Sequence, residues 1–424
     1  MRIYISGIEG TGMGPLALMA HAAGFEVFGS DLAEGLIHDE LIKAGIEVSI
    51  GEQDGAFLKS KLSEGIDWFC HTSALPEGHP ELVLAHEARV SKITKRDDLT
   101  AFLVEKLGLK MVAVAGTHGK TTTTAMIIWA GRELSLPISY IVGTTLGFAP
   151  SGAYKAGDKY FIYEADEYDR NFLKYHPWLS VVPAVSYDHP DIYPTVEDYR
   201  AAFSQFYEQS GDVIRYFGDE MEISGGEKPV FYPEMFKLAG EARKKDAALA
   251  AEAILRIIYD LGLEGSAYDS SEIIEVLNRF PGVGRRFERL SSGVYTDYAH
   301  HPEEISATVE IALDEARILG LKGVVVVYQP HQNTRQHEVF SGYKDAFLGV
   351  SKLFWLPTYL TRENKELRVL EPEEFIETLS NKEIAEVAEL SAEFEERIRR
   401  YIRDGYLVIL MTAGPADGWF REKF

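Results

Sequence analysis

Residues 111–124 read Met-Val-Ala-Val-Ala-Gly-Thr-His-Gly-Lys-Thr-Thr-Thr-Thr, and no other stretch restricts the fold so tightly. Residues 111–115 form an apolar, partly β-branched run of the kind that makes a buried strand. Gly116 and Gly119 break that run, and 122–134 is compatible with a helix. A glycine turn between strand and helix lets backbone N–H groups close around phosphate oxygens, while the helix N terminus adds partial positive charge. Gly116, Thr117, Gly119 and Thr122 would supply that cradle, Lys120 would reach the β- and γ-phosphates, and the Thr121 hydroxyl would meet Mg²⁺. The commoner form of the motif has glycine five residues before Gly119. Val114 stands there, so the loop is a shortened version. The expectation is a triphosphate site.

A chain of 424 residues is too long for one core, so two or three domains are expected. No apolar run approaches the roughly 18 residues of a membrane helix, and Glu9, Thr11 and the glycines around them interrupt any signal-peptide core. With Cys70 as the single cysteine, neither an internal disulfide nor a cysteine metal cluster is available, which suits a cytoplasmic protein. A net charge of −23 argues against nucleic acid or an anionic membrane as partner. Anionic substrates must be met by local basic groups and backbone amides.

The N-terminal stretch runs strand (2–6), glycine loop (Gly7, Gly10, Gly12, Gly14), helix (15–23), strand (26–28), then Asp31. This is the opening of a nucleotide-binding fold, with Asp31 placed to accept from a ribose hydroxyl. Apolar segments at 46–50 and 68–72 continue the α/β alternation to about residue 107.

Further along, a strand at 160–163 ends in Glu164-Ala165-Asp166-Glu167-Tyr168-Asp169. Four carboxylates at a buried strand end repel one another unless a cation sits among them. A second run, 179–185, ends at Asp188-His189-Pro190-Asp191 and repeats the strand-then-acid pattern. Residues 208–242 look glycine-rich and irregular, and 246–261 reads as a strong helix. Pro281, Gly282 and Gly284 suggest a hinge, where Arg285 and Arg286 would suit a phosphate. Beyond it come strands at 294–297, 323–328, 352–356 and 406–411 and helices at 302–319 and from Ser391. Two strand ends there carry polar clusters, 297–302 and 329–335, and both should lie on one edge of a parallel sheet.

Taken together, the N-terminal glycine loop, AGTHGKTTTT (115–124), EADE (164–167), DHPD (188–191), PGVGRRFE (281–288), DYAHHPEE (297–304) and PHQNTR (330–335) resemble the Mur ligases over nearly the whole chain. The resemblance implies three α/β domains: a Rossmann-like UDP-sugar domain (1–107), a shortened P-loop ATPase-like domain (108–282) and a Rossmann-like amino-acid domain (283–424). It implies ATP and Mg²⁺, with Thr121, Glu164 and His189 toward the metal and Arg286 toward the nucleotide. UDP-N-acetylmuramate would be held by Gly10, Thr11, Gly12, Met13, Asp31 and Ser73. Asp297, His300, His331 and Arg335 would surround L-alanine and the tetrahedral centre, in a monomer or homodimer.

Phe203 stands in the segment where later-acting family members carry a carbamylated lysine, which favours the alanine-adding type. A murein-recycling tripeptide ligase, a pseudomurein-type ligase, or a nucleotide-binding protein without turnover are the alternatives. Two positions depart from the family pattern. Arg243 and Asp246 replace the asparagines that meet adenine, and Glu9 replaces a glycine beside the presumed diphosphate, which its carboxylate would repel unless it points away.

Overall fold

A computed structural model of the chain describes residues 1–189, 192–263, 269–361, 363–364 and 366–424. The fold is α/β, with three domains that each rest on their own sheet. The chain packs as two compact bodies, Met1–Phe236 with Lys245–Pro281, and Lys237–Lys244 with Gly282–Phe424.

The first body holds two sheets. In the first, β1 (Arg2–Ser6), β2 (Glu26–Asp31), β3 (Glu47–Ile50), β4 (Trp68–His71) and β5 (Lys92–Lys95) run parallel in the order β3-β2-β1-β4-β5. Side chains alternate between faces: Ile3, Ile5, Trp68 and Cys70 join one apolar cluster, and Tyr4 and Phe69 the other. Both faces are covered, which is why the inner strands β1 and β4 read as continuous apolar runs. Strand order reverses at β1, so its glycine loop opens where such sheets bind ligands.

The second sheet consists of β6 (Lys110–Val114), β7 (Ile138–Ile141), β8 (Gly152–Ala153), β9 (Tyr160–Glu164), β10 (Leu179–Val182), β11 (Asp212–Phe217) and β12 (Glu220–Ile223), ordered β12-β11-β10-β6-β9-β7-β8. Its five inner strands are parallel, and β8 and β12 pair antiparallel at the edges. Here the order reverses at β6, placing the phosphate loop at that switch. The hairpin β11–β12 occupies part of the stretch expected to be irregular, and the helix Glu241–Asp260 starts five residues earlier than expected.

In the second body, β13 (Glu288–Ser291), β14 (Val294–Asp297), β15 (Val324–Gln329), β16 (Lys352–Trp355), β17 (Ala385–Val387) and β18 (Leu407–Thr412) form a sheet ordered β13-β14-β18-β15-β16-β17. Only β13 runs antiparallel to its neighbour among these strands. Asp297 pairs with Met411 and Gln329 with Thr412, so the two polar strand ends do share one edge. No helix among the described residues is long and apolar enough to cross a membrane.

Candidate active site

The loop between β6 and the helix Lys120–Glu133 is clasped by the segment that follows β10. Thr117 N–H donates to Ala184 O (2.8 Å), and the Thr117 hydroxyl donates to Ser186 O (2.6 Å). Gly119, at φ +82°, caps the helix, and a Cβ there would stand 2.7 Å from Asp246 Oδ1 and 2.8 Å from Pro183 Cβ. Lys120 Nζ donates to Gly116 O (2.5 Å) and to Glu167 Oε1 (2.9 Å). Burial works to strip the lysine of its proton, but the attraction of Glu167 outweighs it and its pKa is raised. Burial likewise pushes against the Glu167 charge, yet Lys120 and a hydrogen bond from His189 hold that carboxyl below its ordinary range.

The Thr121 hydroxyl donates to Glu164 Oε1 at 3.0 Å, so a hydroxyl and a carboxylate oxygen converge beside the loop. Hard oxygen donors of this kind suit Mg²⁺. His189 Nε2 lies 3.7 Å from Glu167 Oε1 and 3.6 Å from Asp188 Oδ2. Pro190 and Asp191, the rest of that motif, lie outside the described residues. Which acid of 164–169 meets the lysine was not legible: it is Glu167, on the turn beyond β9, where Asp169 and Arg170 take left-handed conformations (φ +53° and +57°).

In the first sheet, Gly10 N–H donates to Gly7 O, and Gly12 caps the helix Met13–Ala22. Asp31 accepts from the N–H groups of Glu9 (2.9 Å) and Leu32 (2.8 Å), so it braces the glycine loop against the loop after β2. Glu9 turns away from the loop centre. Its Oε1 meets His38 Nδ1 at 2.6 Å and its Oε2 accepts from Gly35 N–H at 3.0 Å, and this partner raises the His38 pKa. The charge that would repel a diphosphate is neutralised locally.

Ser73 is exposed on the loop after β4, at the same sheet edge. On the helix Pro80–Glu87, buried Glu81 accepts from the hydroxyls of Tyr4 (2.6 Å), Ser6 (2.6 Å) and Ser30 (2.7 Å), tying the ends of β1 and β2 together, a cluster that sequence reasoning missed. Glycine loop and phosphate loop face one cavity of about 240 Å³, where Thr11, Gly12 and Arg96 meet Lys120, Glu164 and Asp166. Arg96 was also missed. Its one sequence signal is a basic residue opening a helix, Arg96–Leu107, against the helix dipole.

In the second body, His300 Nε2 accepts from Arg335 Nη1, and the His300 and His331 rings lie 6.0 Å apart. Asp297 is buried, accepting from Phe287 N–H (2.6 Å) and Ala299 N–H (2.7 Å); burial raises its pKa against the pull of Arg286. Arg286 itself lies 5.3 Å over the Tyr298 ring and 4.0 Å from Glu304. The structure therefore brings Asp297, His300, His331 and Arg335 to one sheet edge.

Burial, with Arg335 and Arg286 adding to it against Glu304, pushes His300 down to about 4. The unfolded chain, with histidine near 6.5, binds the extra proton between these values, so stability is lost as pH falls from about 6.5 to 4. The expected loss is about 2–4 kcal/mol. Denaturant unfolding of His300→Gln across that window should show a shallower pH slope than the parent. An unchanged slope would exclude His300 as its source.

A parallel sheet with a phosphate loop at its switch strand, sharing a cavity with the glycine loop of a second nucleotide-type sheet, defines a phosphate-loop α/β enzyme. The Mur ligase family catalytic-domain model matches residues 2–105, and the Mur ligase middle-domain model matches 114–221. The chain is 33% identical over 377 residues to UDP-N-acetylmuramate–L-alanine ligase of Syntrophomonas wolfei, covering 78% of this chain and 77% of that protein. It is 31% identical to the ligase of the same name from Rubrobacter xylanophilus, covering 82% of each. The crystal structure of UDP-N-acetylmuramate–alanine ligase from Thermotoga maritima has the same fold, with a TM-score of 0.75 at 21% identity over 100% of this chain and 98% of that one. The chain belongs to the Mur ligase family.

Proposed function

We propose that the chain is an ATP-dependent ligase that joins L-alanine to the lactyl carboxylate of UDP-N-acetylmuramate. The observation that supports this most is the cavity in which the glycine loop of the first sheet faces Lys120 and Glu164 of the second. A carboxylate entering from the glycine-loop side meets a γ-phosphate held by Lys120; its oxygen attacks phosphorus and ADP departs. The amine of alanine then attacks the acyl carbon, and phosphate leaves. Thr121 and Glu164 would hold Mg²⁺, which would offset the charge that accumulates on the phosphoryl oxygens. Asp297, His300, His331 and Arg335 would serve the amino acid. Low-pKa His300 stays neutral, so its Nε2 keeps the lone pair that accepts from Arg335 and holds that guanidinium in place.

The motif Pro-His-Gln-Asn-Thr-Arg at 330–335 favours the alanine-adding reading, since the tripeptide-recycling type typically lacks it. The test is ADP release with UDP-N-acetylmuramate against a panel of amino acids and against the tripeptide. Fastest release with L-alanine is expected. Preference for the tripeptide would overturn the assignment.

Base recognition should be loose. Asp246 accepts from the Thr123 hydroxyl at 3.1 Å and offers no amide to a purine. Next to Pro183, which abuts the phosphate loop, a cavity of about 530 Å³ is lined by Arg200, Tyr207, Arg215, Tyr216 and Phe217. Phe217 is 71% exposed, a stacking surface that tolerates any base. The expected outcome is a kcat/KM for GTP within about tenfold of that for ATP, a gap of ~1.4 kcal/mol. A preference for ATP beyond about a thousandfold would show that adenine is read by hydrogen bonds.

A further inference from the structure

Arg96 stands at the C-terminal edge of the first sheet, one residue past β5. Its guanidinium rests directly on the glycine loop: a Cβ at Gly12 would collide with Arg96 Nη1. Glycine at position 12 is therefore what admits the arginine to the wall of the cavity. Across that cavity stand Lys120, Glu164 and Asp166.

The charges of this cavity are unevenly committed. Lys120 is held by Glu167 and Gly116 O, and in the working enzyme it is needed by the γ-phosphate. Glu164 and Asp166 would repel any second anion brought up to that phosphate. Arg96 gives Nε to Asp97 Oδ1 at 3.3 Å, and among the described residues its two Nη groups donate to no protein acceptor. Asp97 is in turn fixed by Lys174 Nζ (3.2 Å) and the Tyr175 hydroxyl (3.3 Å). The result is an anchored guanidinium whose planar fork lies in the cavity. A fork of this kind pairs bidentately with a carboxylate.

We propose that Arg96 binds the carboxylate of the sugar-nucleotide substrate and makes the site specific for sugar nucleotides that carry one, an inference that rests on the ligase reading of the same cavity. Arg96 brings the reacting carboxylate past Glu164 and Asp166 to the phosphate loop, while the diphosphate remains with the glycine loop.

The test compares two ligands, UDP-N-acetylmuramate and UDP-N-acetylglucosamine, which share nucleotide, diphosphate and sugar ring and differ in the lactyl carboxylate. Calorimetric titration of the full-length parent should show tighter binding of the muramate. Arg96→Ala should weaken muramate binding by about 10–100-fold, the range for a charge-assisted hydrogen-bonded pair, and leave the glucosamine within about twofold. KM for ATP should not move. Arg96→Lys, which keeps the charge and loses the fork, should recover part of the discrimination; should the alanine variant fail to fold, this lysine variant carries the comparison alone.

Equal loss for both ligands would place Arg96 on the diphosphate and overturn the proposal. Loss for neither would make it a strut between the two sheets. If the parent binds muramate but the ADP-release assay shows no ligation, the ligase reading fails while the binding result still decides the role of Arg96.

Discussion

Replacing Lys120 by alanine is expected to abolish ADP formation, lowering kcat by at least about 10³-fold, because it removes the one lysine or arginine of the loop 116–122, and with it the permanent positive charge that would meet the γ-phosphate as it is transferred. The structure adds a complication that the motif alone does not reveal. Lys120 is also the cation that keeps Glu167 ionised in a buried position, with both carboxylate oxygens 2.9 Å from Nζ. Removing one partner of such a pair costs about 3–5 kcal/mol, so the alanine variant will be less stable as well as inactive. A second variant separates the two effects. Lys120→Met combined with Glu167→Gln removes both charges and should recover most of the lost stability while remaining inactive.

The pair also has a pH signature. The Glu167 carboxyl is depressed in the folded state, so its contribution is full above the unfolded value near 4.5 and is lost as pH falls through the lower folded value. Thermal unfolding and ADP release measured on parent, single and double variants decide the matter. Near-parental turnover in the double variant would sink the assignment of the triphosphate site.

What was legible in the sequence is what chain proximity determines. The four consecutive valines of β15 and the strand of β14 read as they fold, because a buried parallel strand needs apolar residues on both faces. Ser391 caps its helix by accepting from Phe394 N–H, as its type and place suggest. Of the two edge strands of the first sheet, β3 falls within the expected segment 46–50 and β5 was hidden. Strand β5 reads Lys-Ile-Thr-Lys and resembles a loop, since an edge strand tolerates charge and needs little apolar surface.

At the site, the glycine turn between β6 and the helix Lys120–Glu133 was legible because its residues are adjacent in sequence. The pairs that tune it were not: Glu9 with His38, Lys120 with Glu167 and Arg96 against Gly12 are joined by folding across 29, 47 and 84 positions. Periodicity carries no information about such partners. Glu9 shows the consequence, since the charge that looks hostile to a diphosphate is already satisfied by a histidine that no local pattern links to it.

Substitution of Gly116 by alanine should be nearly as damaging as loss of the lysine, and the reason explains the shortened loop. Val114, at the place where the commoner motif has glycine, is fully buried in β6 and pairs with Val181 on one side and Glu164 on the other. Ala115 N–H still donates to Val181 O at 3.0 Å, so the strand runs on and the turn begins only at Gly116. At φ +138° that residue lies where side chains are strained, and an added Cβ would stand 2.6 Å from Ala184 O. Neither party can yield by changing rotamer, because both are backbone and Ala184 O is already fixed by the N–H of Thr117.

We expect Gly116→Ala to cost about 2–4 kcal/mol of stability and to raise the KM for ATP by roughly 100-fold or more, because the amides of the cradle are displaced together. Gly157→Ala is the control: it has φ +98° with nothing within 4 Å of the added Cβ, so it should cost about 1–2 kcal/mol and leave the KM for ATP alone. Denaturant unfolding and ATP titration of both variants make the comparison. Parental ATP binding by Gly116→Ala would mean that the backbone of this loop is not what holds the phosphates.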